Sequence, residues 1–260
     1  MHTLHSLAFA LLSVAASCRN TASSTVPPAT SPPATPEAHE AHTAPPTTDP
    51  AAQHNPARPA PITWTFGTAI GSPANGLAEA TFAAGCFWCV ESSFEGVRGV
   101  VAAVSGYTGG PELRPTYSDV SGHRTDHAEA VRVIFDPAVV SYEQLLRVFW
   151  MIHDPTTRDQ SFYDRGRQYR SAIFVHSPAQ RAAAVASQQA LVQARRYTTE
   201  ITTEIVDAPV FWPAEDDHQD YHHTNPGSYQ SYRRGSGRDD YITRVWGEGS
   251  LAAAQAHSTP

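Results

Sequence analysis

Ala130-Val131-Arg132-Val133-Ile134-Phe135-Asp136-Pro137 and, just beyond it, Ser141-Tyr142-Glu143-Gln144-Leu145-Leu146-Arg147-Val148-Phe149-Trp150-Met151-Ile152-His153 decide the fold class. The first run is short, rich in β-branched and aromatic residues, and stops at Asp-Pro, the pattern of a strand. In the second, Ser141 stands three residues before Gln144, which forms a capping box. Leu145, Val148, Phe149 and Ile152 then fall on one helical face. Working outward, Thr81–Ala84, Val100–Tyr107, Arg170–Val175 and Thr199–Val206 read as further strands, and Thr108-Gly109-Gly110 closes the second of these as a turn. Ser177-Pro178-Ala179-Gln180 opens another helix, running to about Arg195, with a capping Ser and Pro at the first helical position. No internal repeat is visible. Strands and helices mix without a regular βαβ alternation, which predicts an α+β domain: a compact two-layer mixed sheet with packed helices.

The chain of 260 residues has room for one or two domains and a sizeable core. Its three cysteines are too few for a disulfide-stapled miniprotein or a four-cysteine zinc ribbon. The net charge of −7 argues against a general binder of nucleic-acid backbones. All 18 basic residues are Arg, so a P-loop, a Schiff-base lysine and a Ser-x-x-Lys nucleophile pair are excluded.

The folded domain is expected over 62–230. Before it, residues 1–18 carry an apolar run from Leu7 to Ala16, too short to span a bilayer and suited to a signal-peptide core. The run ends in Ala15-Ala16-Ser17-Cys18, which resembles a bacterial lipobox with Cys18 as the lipidated residue. His2 and His5 stand where a positive start is usual. Simple signal cleavage, or a stray apolar start on a cytoplasmic protein, is the alternative. The expected location is periplasmic, or tethered to the outer membrane through Cys18. Residues 19–61 hold eleven Pro and ten Ala, with Val26 the only large aliphatic side chain. Such a segment cannot bury enough apolar surface to order itself and reads as a Pro-stiffened tether. Its His39, His42 and His54 read as solvated. Residues 231–260 are Arg-, Gly- and Ala-rich and read as a variable tail.

The chemistry centres on Gly85-Cys86-Phe87-Trp88-Cys89. Two cysteines three apart, after a strand and opening a helix, have a redox-capable spacing. A helix N-terminus favours the thiolate and can bring a cysteine pKa to about 3.5–7.5. Cys86, at the turn, is the better nucleophile, and Cys89 sits one turn later within reach of a disulfide. Phe87 and Trp88 would make an apolar wall for a methyl group beside a reactive sulfur, or serve as core aromatics. Spacing alone leaves two alternatives open. One is a zinc set completed by His218 and His222. The other is a pair of inert buried thiols.

Several motifs then follow in one order: Gly85-Cys86-Phe87-Trp88, Ser105-Gly106-Tyr107-Thr108-Gly109-Gly110, Pro115-Thr116-Tyr117, His127-Ala128-Glu129-Ala130-Val131, Tyr142-Glu143-Gln144-Leu145-Leu146, Gln168-Tyr169-Arg170-Ser171-Ala172-Ile173, Pro213-Ala214-Glu215 and His218-Gln219. Over about residues 80–229 the chain resembles the peptide-methionine (S)-S-oxide reductases, the A-type methionine sulfoxide reductases. The resemblance implies a ferredoxin-like fold and reduction of (S)-methionine sulfoxide, free or in proteins, with no cofactor. It places the nucleophile on Cys86 and the acid on Glu129. It puts Tyr117, Asp164 and Tyr169 in a polar cluster around the sulfoxide oxygen, and Phe87 and Trp88 in the methyl pocket. A carboxyl acts as acid near neutral pH only if its pKa is raised, as burial would do. His218 matches the family pattern as a structural or rim residue, and no metal is assigned.

Attack on the sulfoxide leaves Cys86 as a sulfenic acid, which a second thiol must resolve. Many relatives carry that thiol near the C-terminus, but here no cysteine follows Cys89. Cys89 is therefore expected to form the disulfide, with direct reduction by an external thiol as the alternative. A thioredoxin-like donor is implied as partner, and the chain is expected to be a monomer. A general thiol–disulfide oxidoreductase using Cys86 and Cys89, and a tethered metal-binding module, are the competing functions.

Overall fold

A computed structural model describes residues 65–68, 71–73 and 76–256. The expected signal segment 1–18, the tether 19–61 and the lipidation site Cys18 lie outside the described residues.

The chain forms β1 (Ala78–Ala84), α1 (Phe87–Glu95), β2 (Val100–Thr108), α2 (Tyr117–Ser121), β3 (Ala128–Phe135), α3 (Tyr142–Met151), β4 (Gln160–Ser161), β5 (Asp164–Arg165), β6 (Ser171–Val175), α4 (Pro178–Gln193), β7 (Glu204–Asp207), β8 (Trp212–Pro213), α5 (Tyr221–Thr224), α6 (Pro226–Gly235), α7 (Arg238–Trp246) and α8 (Ser250–Ala256). Six strands make one sheet in the order β7-β6-β1-β3-β2-β8, and β4 pairs with β5 separately. Only β6 and β7 run parallel; every other pair in the large sheet is antiparallel. Its centre, β6-β1-β3-β2, is the sheet of a βαββαβ unit whose helices are α1 and α3, so the sheet is mixed and the ferredoxin-like expectation holds.

Alternation along the strands sorts side chains to the two faces. Phe82, Val131, Val133 and Ile173 join Phe94, Leu145 and Phe149 from α1 and α3 in the main core. Ala83, Val104, Ala130, Ala172 and Phe174 point the other way and pack with Phe211. The α3 capping box forms as the sequence requires: Ser141 Oγ accepts from the Gln144 N–H at 3.3 Å, and Gln144 Oε1 accepts from the Ser141 N–H at 2.7 Å. Ser177 caps α4 with Pro178 at its start.

Two expectations need correction. Of the expected Thr199–Val206 strand, the part before Glu204 is loop, because the Thr202 N–H and hydroxyl bond to the Pro155 carbonyl instead of a neighbouring strand. The expected variable tail, 231–260, is helical where it is described: α6 runs through position 230, and α7 and α8 follow to Ala256. Tyr241, Ile242, Ala254 and Arg238 are buried. Gln255 holds α8 to the end of α1 by donating to the Ser93 carbonyl at 2.7 Å and accepting from the Arg98 N–H.

Candidate active site

Strand β1 ends at Ala84, and the chain turns into α1 through Gly85, whose φ of +89° is left-handed. A Cβ at Gly85 would lie 2.4 Å from the Ser161 side chain, so both backbone angle and space require glycine. The turn leaves Cys86 as the residue that caps α1, with its carbonyl accepting from the Cys89 and Val90 N–H groups at 3.1 and 3.3 Å. Both cysteines are buried free thiols. The pairing Phe82↔Val131 between β1 and β3, carried two residues on, brings the end of β1 beside Glu129.

Glu129 is 1 % exposed, and its Oε2 accepts the Phe87 N–H at 3.0 Å, one residue after Cys86. Burial pushes its carboxyl up to about 8 despite the Phe87 hydrogen bond, with the Asp164 charge adding to the rise. The carboxyl therefore keeps its proton at neutral pH, as the sequence argument requires of an acid.

The sulfurs ionise as a pair. Burial, then the hydrogen bond to Cys89, holds the Cys86 thiol well above its ordinary value. That hydrogen bond brings Cys89 down to about 7, helped by the Arg238 and Arg233 guanidiniums. The helix N-terminus thus does not by itself leave a low-pKa thiolate on Cys86, because desolvation outweighs it. The first ionisation belongs to the dithiol, with the remaining proton held on Cys86.

The other residues expected at the site gather around this pair. Tyr117, at the start of α2, donates its N–H to Glu215 Oε1 at 2.8 Å, while Glu215 Oε2 accepts from the Tyr107 hydroxyl at 2.8 Å. Burial, then the charge of Glu129, pushes the Tyr117 hydroxyl up to about 12. Tyr169, ending a short 3-10 turn (Arg167–Tyr169), is raised for the same reasons in the same order. Both hydroxyls stay protonated and remain donors. Asp164 is engaged: its Oδ2 accepts from the Tyr232 hydroxyl at 2.5 Å and from Arg238 Nη2 at 2.9 Å. Phe87 is wholly buried against Tyr107, Tyr117 and His218. Trp88, half-buried, stacks on Tyr221 at 3.8 Å with Tyr232 edge-on at 6.1 Å.

Arg238, Tyr232 and Glu215 are the members that sequence reasoning missed. Arg238 is 2 % exposed and places its guanidinium against Asp164 and over the Phe162 and Tyr232 rings. Glu215 stood inside a quoted motif, while Arg238 and Tyr232 had no local signal. The zinc alternative is not assembled: His218 packs on Tyr117 and Trp88, and His222 faces Glu95. Among the described residues, no metal-type cluster includes either cysteine.

A buried dithiol beside a proton-bearing carboxyl, walled by aromatics, is a site fit for thiol-based redox chemistry. The family model for peptide methionine sulfoxide reductase matches residues 78–250, and the chain belongs to that family. Peptide methionine sulfoxide reductase MsrA of Methanosarcina mazei is 55% identical over 150 residues, covering 58% of this chain and 71% of the relative. The enzyme of the same name from Bacillus subtilis is 46% identical over 168 residues, covering 65% and 95%. Among solved structures, Mxr1 from Saccharomyces cerevisiae in reduced form aligns with a TM-score of 0.56 at 31% identity, over 61% of this chain and 91% of that one. Methionine sulfoxide reductase A of Corynebacterium diphtheriae aligns with a TM-score of 0.53 at 34% identity, over 59% and 77%. The protein is a methionine sulfoxide reductase of the A-type family.

Proposed function

We propose that the protein reduces the S epimer of methionine sulfoxide, free or in proteins, through a Cys86 sulfenic acid that Cys89 resolves. The observation that carries this reading is the buried Glu129 carboxyl, protonated up to about pH 8 and hydrogen-bonded to the backbone immediately after Cys86. One-epimer selectivity follows from the family resemblance.

The dithiol loses one proton, and its shared hydrogen bond lets Cys89 take up the remaining one, leaving the Cys86 sulfur anionic. That sulfur attacks the sulfoxide sulfur as Glu129 protonates the oxygen. The oxygen, now a hydroxyl, passes to the Cys86 sulfur as the transient sulfur–sulfur bond and the substrate's sulfur–oxygen bond break; methionine leaves, and Cys86 is a sulfenic acid with Glu129 ionised. The Cys89 thiol then displaces water to give the Cys86–Cys89 disulfide, and an external dithiol of thioredoxin type returns two electrons and two protons. Tyr117 and Tyr169 donate to the sulfoxide oxygen without carrying charge. Phe87 and Trp88 hold the methyl group, and Arg238, paired to Asp164, favours the anionic sulfur from outside the reacting atoms.

The test is turnover of separated S and R sulfoxide epimers with a dithiol reductant, with thiols counted by mass after one equivalent of sulfoxide. Loss of both thiols on the S epimer alone is expected. Turnover of the R epimer would overturn the stereochemistry, and a Cys89 thiol surviving the first turnover would overturn the internal disulfide. The stretch Ala15-Ala16-Ser17-Cys18 supports export and a lipid tether; a lipid-sized mass increment on Cys18 in the membrane fraction tests both.

A further inference from the structure

On α1, beyond the dithiol, Glu91 and Glu95 meet Asp220, His222 and His223 from the segment that opens α5. Glu95 Oε2 lies 3.1 Å from His222 Nε2 and 3.5 Å from His223 Nε2, and the two imidazoles stand 3.9 Å apart between centroids. One ligand atom from each of these three residues lies within 4.8 Å of the others, and the same holds for Glu91, Glu95 and Asp220. Glu91 is 0 % exposed, with the Asp220 backbone and the Ser105 hydroxyl as its polar neighbours. Asp220 reaches the cluster from a left-handed backbone, φ 51°. Three carboxyl groups and two imidazoles so placed offer a donor set for a cation.

We propose that this cluster is a binding site for a divalent transition-metal ion of the zinc class, with Glu95, His222 and His223 as ligands and Glu91 and Asp220 behind them. Imidazole with carboxylate is a donor set for borderline ions, where calcium or magnesium would call for oxygen alone. Zinc–ligand distances of about 2.0–2.2 Å put neighbouring ligand atoms of a tetrahedral site about 3.4 Å apart. The His223–Glu95 separation matches that edge, and the hydrogen-bonded His222–Glu95 pair lies about 0.3 Å inside it. His223 is the exposed ligand and gives the ion its way in, while His222 and Glu95 are mostly covered. The ion would tie the end of α1 to α5, whose Tyr221 stacks on Trp88. The proposal stands independently of the sulfoxide chemistry.

The experiment uses the full chain without an affinity tag, stripped with chelator, and calorimetric titration with zinc alone. Cys86→Ser/Cys89→Ser removes the competing thiols, and His222→Ala/His223→Ala removes the proposed ligands. One zinc per chain is expected in the wild type and in the Cys variant, with affinity at least tenfold weaker in the His variant. Zinc should also raise the thermal midpoint of the Cys variant but not that of the His variant. Circular dichroism checks that each variant folds, and Glu95→Gln, which keeps shape and removes one ligand charge, should weaken binding if the His variant does not fold. No stoichiometric zinc, zinc lost with the cysteines, or undiminished affinity in both the His variant and Glu95→Gln would each overturn the site.

Discussion

Glu129 and the dithiol set opposite limits on pH. On the proposed mechanism the pair must lose a proton to supply a nucleophile, and Cys89 marks that step at about 7; Glu129 must keep its proton, which it loses near 8. Turnover is expected to rise with pH through about 7 and to fall above about 8, giving a narrow bell in kcat/KM for free S-sulfoxide. Glu129→Gln should lower kcat/KM by about 10²–10⁴-fold and remove the alkaline limb, while thiol–disulfide exchange with a small disulfide is spared. Equal loss of both activities would mean a structural role. Linkage gives a second readout. The folded carboxyl titrates above its unfolded value, so the folded state binds the extra proton between about 4.5 and 8. Its contribution is complete below about 4.5 and is lost as pH rises through about 8. Glu129→Gln should therefore flatten the decline of stability with pH across that window, measured by urea unfolding.

The β1–α1 turn is the element on which the site depends. Gly85→Ala puts a Cβ 2.4 Å from Ser161 at a φ of +89°, so either the turn or the β4 segment must move. A stability loss of about 1–3 kcal/mol is expected from the backbone strain, together with a loss of turnover larger than the unfolded fraction explains, because the turn aims Cys86. Unchanged melting and unchanged rate would refute that dependence. The α3 cap offers a contrast far from the chemistry. Ser141→Ala removes the acceptor of the Gln144 N–H and should cost about 1 kcal/mol in urea unfolding without altering kcat. Its signal was local, which is why the helix was legible. The 199–206 run shows the opposite: alternation invited a strand, but Thr202 found its partners in a loop some 45 residues away.

For the molecule as a whole, the C-terminal helices reach the candidate site through Tyr232 and Arg238. Removing residues after Gln230 would delete Tyr232 and Arg238, both bonded to Asp164. Such a truncation should lose turnover, with Asp164 left as an unpaired, mostly buried charge. Full activity of the truncated chain would restore the tail reading. Arg238→Met is the sharper probe. The guanidinium lowers both cysteines, so its removal should move the pH midpoint of iodoacetamide alkylation upward. Arg238→Lys should recover part of that shift, because it keeps the charge but not the forked geometry. An unmoved midpoint would limit Arg238 to packing.

Local rules made much of this protein readable beforehand. The capping box at Ser141, Pro178 at the start of α4, the alternation of β3 and the Gly-Cys opening of α1 each act within a few residues, so they appear in the string of letters. The ordered motifs from Cys86 to His218 pointed to Glu129, Tyr117, Asp164 and Tyr169 through resemblance, and folding brings these residues around the two sulfurs. Their energetics were not readable. Desolvation depends on everything that surrounds a group, and it reversed the expected effect of the helix N-terminus on Cys86. Arg238 reaches Asp164 across 74 positions, and Tyr232 across 68. Nothing local marks either residue, so only the packed chain could make them part of the site.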